Sequence, residues 1–163
     1  MILPIFRPAI EQDILPCFHI ESIAYDASEA ATIEKITLRI NQYPQGFLVA
    51  ELGGEIIGFI NSGCAHEVAM SDESFKELIG HDPLASNVVI MSVVIEPKYQ
   101  GKGYSSLLMQ GFINKMKGDN KSSIHLMCKE QYVDLYKKMG YSYVKRSDSN
   151  YGGVSWHEMV IML

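Results

Sequence analysis

A glycine-bearing segment near the middle of the chain carries the clearest chemical signal. It reads Gln100-Gly101-Lys102-Gly103-Tyr104-Ser105 and lies between an apolar run at 88–95 and an amphipathic pattern at 103–117. Two glycines allow successive main-chain N–H groups to turn toward one point, and a helix N-terminus adds unpaired donors and partial positive charge. The segment therefore predicts a phosphate site with Lys98 and Lys102 at its rim. An ordinary tight connection between strand and helix is the alternative.

Two familiar phosphate motifs do not match this segment. A Walker A loop requires Lys followed by Ser or Thr after its second glycine, and no such pair follows Gly103. A dinucleotide fingerprint requires a third glycine, where this chain has Ser106. Both mismatches leave a main-chain anion site without a nucleotide-specific motif.

The elements that position the segment follow from hydrophobic periodicity. Apolar runs predict seven strands, at 2–7, 47–52, 55–60, 88–95, 123–128, 141–145 and 154–163. Helical spacing predicts four helices, from about residue 10, from Ser28 to Pro44, at 103–117 and around 132–139. Gly53-Gly54 predicts a hairpin turn, and 65–87 is predicted to be a covering loop with a short helix at 73–79. The order βααβββαβαββ, with one strand-helix-strand crossover, predicts an α+β fold with a mixed sheet.

Length and composition limit the class of protein. The chain has 163 residues, of which 47% are hydrophobic and 20% charged, so it predicts one globular domain over 1–163 rather than a disordered or fibrous chain. A net charge of −5 and the lack of a long apolar run argue against nucleic-acid and membrane partners. Three separated cysteines favour a reducing cytoplasm, and no residue spacing suggests a metal site.

The phosphate segment resembles the Q/R-x-x-G-x-G/A loop of the GNAT acetyltransferases, with Ser105 replacing the last small residue. The hairpin, the apolar strand and Leu135-Tyr136-x-x-x-Gly140-Tyr141 extend the resemblance over essentially the whole chain. Further positions are similar to the arylalkylamine (serotonin) N-acetyltransferase branch, namely Leu126-Met127-Cys128, Val133, Tyr136 and Gly152-Gly153-x-x-Trp156.

The resemblance implies a GNAT fold: a central, mostly antiparallel sheet with one splayed parallel strand pair, flanked by about four helices. It also implies that acetyl-coenzyme A lies between the strands at 88–95 and 123–128. A main-chain N–H near Val94 would hold the oxyanion that forms during transfer. The residues that the resemblance assigns to the cofactor are Val93, Val94, Ile95, Gln100, Gly101, Lys102, Gly103, Tyr104 and Ser105.

Proton transfer is only partly accounted for by the resemblance. Tyr136 matches the tyrosine that, in this family, donates a proton to the coenzyme sulfur. The alternative role for Tyr136 is packing in the core, because it shares a helical stripe with Tyr132, Leu135 and Met139. In the vertebrate serotonin N-acetyltransferases two histidines relay a proton. The corresponding positions here are Val89 and Met91, whose side chains cannot titrate. A water route near Glu21 or His66 is the substitute. The other histidines, His19, His81, His125 and His157, show no ligand spacing and receive no role.

The acceptor pocket is expected from the first two helices and the 65–87 loop, with Glu21, Tyr25 and Phe59 as candidate substrate residues. Core packing is an equal alternative for Phe59. The expected activity is acetyl-CoA-dependent N-acetylation of a small primary aryl or alkyl amine in a ternary complex. Acetylation of protein or peptide amines and non-catalytic sensing of acyl-CoA are the alternatives. A homodimer, the acceptor and the general base are left open.

Overall fold

The computed structural model describes residues 2–163, and its elements follow the predicted order. The strands are β1 (Ile5–Pro8), β2 (Phe47–Leu52), β3 (Glu55–Ala65), β4 (Asn87–Ile95), β5 (Ser123–Cys128), β6 (Ser142–Arg146) and β7 (His157–Met162). The helices are α1 (Ile14–Ala24), α2 (Ile33–Gln42), α3 (Tyr104–Gly118) and α4 (Val133–Lys138). Most of the remaining connections are short 3-10 turns, among them Glu73–Glu77.

The strands form one sheet in the order β1-β2-β3-β4-β5-β7-β6. β4 and β5 pair in parallel over Asn87–Val89 and Ser123–His125, whereas β1 with β2, β2 with β3, and β7 with both β5 and β6 pair antiparallel. This mixed sheet with four helices confirms the α+β prediction. Backbone contacts divide the chain into two compact units, and β3 and β4 contribute residues to both.

Unit 1 contains the chain up to Ser62 together with Ser92–Phe112. Its core consists of apolar faces of α1 and α2 packed against β2 and β3. The rings of Phe47 and Phe59 stack with their centroids 5.1 Å apart, and neither side chain is exposed. Beside this core, Arg7 pairs with the buried carboxylate of Asp13 at 2.7 Å. The pair raises the pKa of Arg7, so the guanidinium keeps its charge.

Unit 2 contains Gly63–Met91 and Ile113–Leu163. The segment after β3 folds back so that Phe75 packs with Ala65 and Val89 in a buried cluster. Val68, Met70 and Met91 border it, and we call these six residues the loop cluster. A side chain at Gly63 would come within 2.8 Å of the Phe75 ring, so the close approach of this segment to β3 requires glycine. The predicted covering loop thus has an ordered apolar underside.

Several element boundaries differ from the sequence prediction, among them the start of β1, which lies at Ile5 rather than residue 2. Helix α2 begins after Thr32, whose Oγ1 accepts a hydrogen bond from the Lys35 N–H at 3.3 Å, whereas Ser28 lies in the preceding turn. Strand β3 continues five residues past the predicted end at residue 60. The last strand begins at His157 rather than residue 154, because Tyr151–Gly153 forms a turn with two glycines at positive φ.

Candidate functional site

The glycine-bearing loop of unit 1 has a backbone that most residues cannot adopt. Gly101 and Gly103 have φ angles of 74° and 86°, in the left-handed region, and α3 begins at the next residue, Tyr104. A Cβ added to Gly101 would meet no atom within 4 Å, so the backbone conformation, not packing, requires glycine there. The first N–H groups of an α-helix have no acceptor inside the helix. The loop and helix start can therefore donate several main-chain hydrogen bonds to one anion.

Hydrogen bonds fix this loop to the end of β4. The side-chain amide of Gln100 donates to the Ile95 carbonyl at 3.0 Å, and the Gln100 N–H donates to the Pro97 carbonyl at 3.2 Å. The Tyr99 N–H donates to the Glu96 carbonyl at 2.8 Å. These contacts hold the loop in place before any ligand arrives, which lowers the entropy cost of binding.

The two rim lysines differ in their surroundings. Lys98 pairs with Glu55 at 3.1 Å and lies 3.7 Å from Glu96, and the bond to Glu55 raises its pKa. Its charge is therefore largely balanced by carboxylates. Lys102 is exposed, with its ammonium 5.9 Å from the centre of the Tyr99 ring. Lys102 is the better placed of the two to meet an anion at the loop.

The carbonyls at the end of β4 face alternate directions. The Val94 carbonyl points at β3, since a Cβ on Gly58 would lie 2.5 Å from it. The Val93 carbonyl accepts a hydrogen bond from the Tyr25 hydroxyl at 2.7 Å, and the Ile95 carbonyl accepts from Gln100. Side chains thus bind two carbonyls of the segment 93–95, which the resemblance assigns to the cofactor. Each carbonyl oxygen has a second lone pair that can accept a further hydrogen bond.

The three candidate substrate residues occupy different environments in unit 1. Tyr25 is half-buried at the end of α1 and is fixed by its bond to Val93. Glu21 is 1% exposed; its Oε2 accepts from the Ala31 N–H, while Oε1 has no partner among residues 2–163. Phe59 lies inside the core with no exposed surface, the packing alternative that the sequence left open. Of the three, only Tyr25 presents surface to a ligand in this structure.

Tyr136 lies on α4 in unit 2. Its ring meets the Tyr141 ring edge-on with centroids 5.6 Å apart. Burial raises the pKa of the phenol, with Cys128 and Tyr132 adding to the effect, so the hydroxyl stays protonated at neutral pH. The neighbouring stripe residues Tyr132 and Leu135 are 46% and 37% exposed, whereas Tyr136 and Met139 are half-buried. A half-buried, protonated phenol on a largely exposed helix is suited to proton donation.

The positions that the resemblance links to a histidine relay are apolar and packed. Both belong to the loop cluster, in which Val89 is buried and Met91 is partly buried. Nearby, His66 bonds to Asp82 with Nε2 and Oδ2 2.8 Å apart, but both side chains are largely exposed. This bond is the main cause of the lowered pKa of Asp82. His66 is therefore a surface histidine paired with a carboxylate.

A hydrogen-bonded group around His125 was missed by the sequence prediction. His125 is half-buried on β5, and its Nε2 lies 2.9 Å from Ser123 Oγ. The only sequence signal was the alternation of polar Ser123 and His125 with apolar Ile124 and Leu126 along a strand. That alternation places the two polar side chains on one face of the sheet.

Comparison with known families decides which class of protein carries these features. The model of the Acetyltransferase (GNAT) family matches residues 8–141. The chain belongs to the GNAT acetyltransferase family. The match includes the phosphate loop, the β4–β5 crossover and Tyr136, so the GNAT resemblance is confirmed at the level of the superfamily.

Individual relatives of this GNAT chain are distant. The chain spans 30% and 62% of the lengths of two curated relatives that it matches. The second is an N-alpha-acetyltransferase of Sulfurisphaera tokodaii, 26% identical over 110 residues, or 65% of this chain. Among solved structures, the loading GNATL domain of CurA from Lyngbya majuscula has a TM-score of 0.85 at 15% identity, covering 98% of this chain and 97% of its own. The GphF GNAT-like decarboxylase in complex with isobutyryl-CoA has a TM-score of 0.84 at 14% identity, covering 97% and 98%.

Within residues 2–163, no group of three or more His, Cys, Asp or Glu side chains is arranged to hold a metal ion. No helix in the same range has the length and apolar character needed to cross a membrane.

Proposed function

We propose that this GNAT chain transfers an acetyl group from acetyl-coenzyme A to the primary amine of a small aryl or alkyl amine. The observation that carries the proposal is the loop before α3, in which Gly101 and Gly103 have positive φ angles that allow main-chain N–H groups to bind an anion. Family membership supports an acetyltransferase, and the GphF complex with isobutyryl-CoA is consistent with a coenzyme A thioester as donor.

The loop residues have one task each in the proposed donor site. Gly101, Gly103 and the first turn of α3 offer main-chain N–H groups to the diphosphate, and Lys102 adds positive charge. Gln100 holds the loop through Ile95. Acetyl-coenzyme A supplies an activated acetyl group and a thiol leaving group. In this proposal the backbone of Val93, Val94 and Ile95 aligns the donor's arm and holds the developing oxyanion.

Tyr136 is the proposed acid. Its raised pKa keeps the proton on the phenol at neutral pH, so a proton is available when the sulfur leaves as an anion. Reprotonating the sulfur prevents it from attacking the new amide in the reverse direction. The short helix α4 positions the phenol, and the edge-on contact with Tyr141 restricts rotation of the ring.

The proposed acceptor is a small cationic arylalkylamine, the class of amine that the serotonin N-acetyltransferase branch acetylates. A net charge of −5 favours a cation over an anionic acceptor. The half-buried Tyr25 ring offers an aromatic surface for such a cation, whereas the Glu21 carboxylate is 1% exposed and does not reach the surface. The cysteines Cys17, Cys64 and Cys128 are buried and form no disulfide, which fits a reducing cytoplasm as the place of action.

A second candidate acceptor is the α-amine of a protein or peptide. The specific observation in its favour is the match to an N-alpha-acetyltransferase. The two candidates share the donor site and the acid, and they differ only in the size of the acceptor. Phenethylamine and tryptamine represent the first class, and short peptides with free N-termini represent the second.

Release of coenzyme A from acetyl-CoA in the presence of these amines tests the proposal. We expect stoichiometric coenzyme A and an acetylated aryl or alkyl amine, identified by mass spectrometry. Acetylation of the peptides alone would move the assignment to the second candidate. Tight binding of acetyl-CoA without transfer to any amine would instead identify a non-catalytic acyl-CoA sensor.

A further inference from the structure

A chain of hydrogen bonds in unit 2 ends at His125. The main-chain oxygen of His66 accepts from Asn87 Nδ2 at 3.0 Å. Asn87 Oδ1 in turn accepts from Ser123 Oγ at 2.8 Å, and Ser123 Oγ lies 2.9 Å from His125 Nε2. This series of hydrogen bonds joins the end of β3 to the first residues of β4 and β5, so three elements hold the imidazole in one orientation.

These partners assign the tautomer of the imidazole. A serine hydroxyl has one proton, and Ser123 donates that proton to Asn87. The contact between Ser123 Oγ and His125 Nε2 therefore requires Nε2 to carry the hydrogen and donate it. In the neutral ring Nδ1 then has a free lone pair, and within residues 2–163 it has no hydrogen-bond partner. Burial lowers the pKa of His125, so the ring is neutral at neutral pH.

The surroundings of His125 are apolar toward β4. Val89 lies directly opposite His125 in the parallel ladder, and opposite residues share a face of the sheet. Val89 packs in the loop cluster, so His125 lies beside an apolar wall formed by the segment after β3. On the other side, β7 places Val160 directly opposite and Glu158 next along that face. The segment after β3 adds His66 and Asp82, which are paired with each other.

We infer that His125 is the general base of the acetyl-transfer reaction and accepts a proton on Nδ1 from the acceptor ammonium. The inference rests on the proposed function and adds the group that the sequence could not supply. An alkyl ammonium has an ordinary pKa of about 10, so it must lose a proton before its nitrogen can attack. A neutral imidazole held by its other nitrogen is the side chain suited to this task.

The proton steps balance as follows. The ammonium gives one proton to His125 Nδ1, and the freed lone pair forms the C–N bond to the acetyl carbon. The C–S bond breaks with its electron pair on sulfur, and Tyr136 gives that sulfur its phenolic proton. The tyrosinate then takes the second proton of the nitrogen, and His125 releases its proton to solvent. One ammonium and one thioester give one amide, one thiol and one proton.

Nitrogen-15 NMR of the histidine rings in the unmodified chain tests the tautomer without any acceptor amine present. We expect His125 to be neutral at neutral pH with its hydrogen on Nε2. The signal is assigned through the backbone amide of His125, so no variant is needed. A ring with its hydrogen on Nδ1, or a ring that is protonated at neutral pH, would overturn the inference.

Kinetics of His125→Gln test the role in catalysis. Glutamine can still donate a hydrogen bond to Ser123 but cannot accept a proton. With phenethylamine and acetyl-CoA, we expect kcat/KM near neutral pH to fall about 100-fold, the usual range of a general base. The deficit should shrink as the pH approaches the amine pKa of about 10, since the free amine then needs no base. The matched control is His157→Gln on β7, which should behave like the unmodified chain.

The outcomes separate this inference from the proposed function. A deficit that stays constant with pH would assign His125 a structural role and overturn the inference, as would an unchanged kcat/KM. Both results leave acetyl transfer intact. If the unmodified chain acetylates no amine, the proposed function fails and the inference fails with it. Coenzyme A affinity, measured by calorimetry, should be unchanged in His125→Gln, because the base does not hold the donor.

Discussion

The Tyr25 hydroxyl donates a hydrogen bond to the main-chain oxygen of Val93 at 2.7 Å. This bond joins the end of α1 to the part of β4 that the proposal assigns to donor binding. The same strand receives the Gln100 side chain two residues later, at Ile95. Two side chains therefore restrain the end of β4, the segment that the proposal assigns to donor binding.

Replacing Tyr25 by phenylalanine tests this relationship. The variant keeps the ring and loses the hydrogen bond, so we expect the free energy of unfolding to fall by about 1 kcal/mol. The KM for acetyl-CoA should rise, because the end of β4 is less restrained. Urea unfolding and initial rates measure the two effects. A stability equal to that of the unmodified chain would show that the bond contributes nothing.

Replacing Gly101 by alanine tests the phosphate loop. A residue with a Cβ is strained at the φ of 74° by about 1–2 kcal/mol, so the loop should move and lose its anion geometry. We expect coenzyme A affinity, measured by calorimetry, to fall at least tenfold.

Gly53→Ala is the matched control for the phosphate loop. Gly53 has a φ of 59° in the β2–β3 turn, and its added Cβ would also meet no atom within 4 Å. Both variants should lose similar stability, but only Gly101→Ala should lose affinity. Equal affinity in the two variants would remove the loop from the binding site.

Replacing Tyr136 by phenylalanine tests the acid. We expect kcat to fall about 100-fold, within the usual range for an acid–base group, while coenzyme A affinity stays within about twofold. Tyr132→Phe is the control, since Tyr132 is exposed on the same segment. Equal turnover by Tyr136→Phe and the unmodified chain would exclude the phenol as proton donor.

The pH dependence of stability follows from two histidines. Burial lowers the pKa of His81 and of His125 below the ordinary value of 6.5, so below that pH the unfolded chain binds more protons than the folded chain. Stability should therefore fall as the pH drops through this range. His81 Nδ1 accepts from the Cys64 N–H at 2.8 Å, and a protonated ring could not accept that bond.

Chemical denaturation at several pH values, compared between the unmodified chain and His81→Gln, measures this effect. The loss of stability on acidification should be smaller in the variant. The lowered pKa of Asp82 adds a loss only at more acidic pH, since its ordinary value is 3.8. An identical pH profile in the two chains would show that His81 is not responsible.

The element order could be predicted because it depends on local patterns. The continuous β-branched sequence of β4 predicts a strand, and the helical spacing in α3 predicts a helix. Positive φ at Gly101 and Gly103 could also be expected, because glycine adopts it readily. The start of α2 was predicted wrongly at Ser28, because Ser28 and Thr32 are both residue types that cap helices and the sequence does not distinguish them.

The contacts around the site could not be predicted in the same way. The bond between Tyr25 and Val93 spans 68 residues, and the His125 network joins three separate elements through Asn87 and Ser123. Such pairs depend on strand register, which one sequence does not reveal. Phe59 shows the same limit, because the sequence cannot distinguish an aromatic core residue on an apolar strand from one that lines a pocket.

Acetyl-CoA turnover by the unmodified chain and by Gly101→Ala tests the central claim most directly. The account predicts that the unmodified chain releases coenzyme A and forms an acetylated aryl or alkyl amine in equal amounts. It also predicts that Gly101→Ala, though folded, loses most of this activity through weaker donor binding. Undiminished turnover in Gly101→Ala, or no acetylated amine from the unmodified chain, would contradict it.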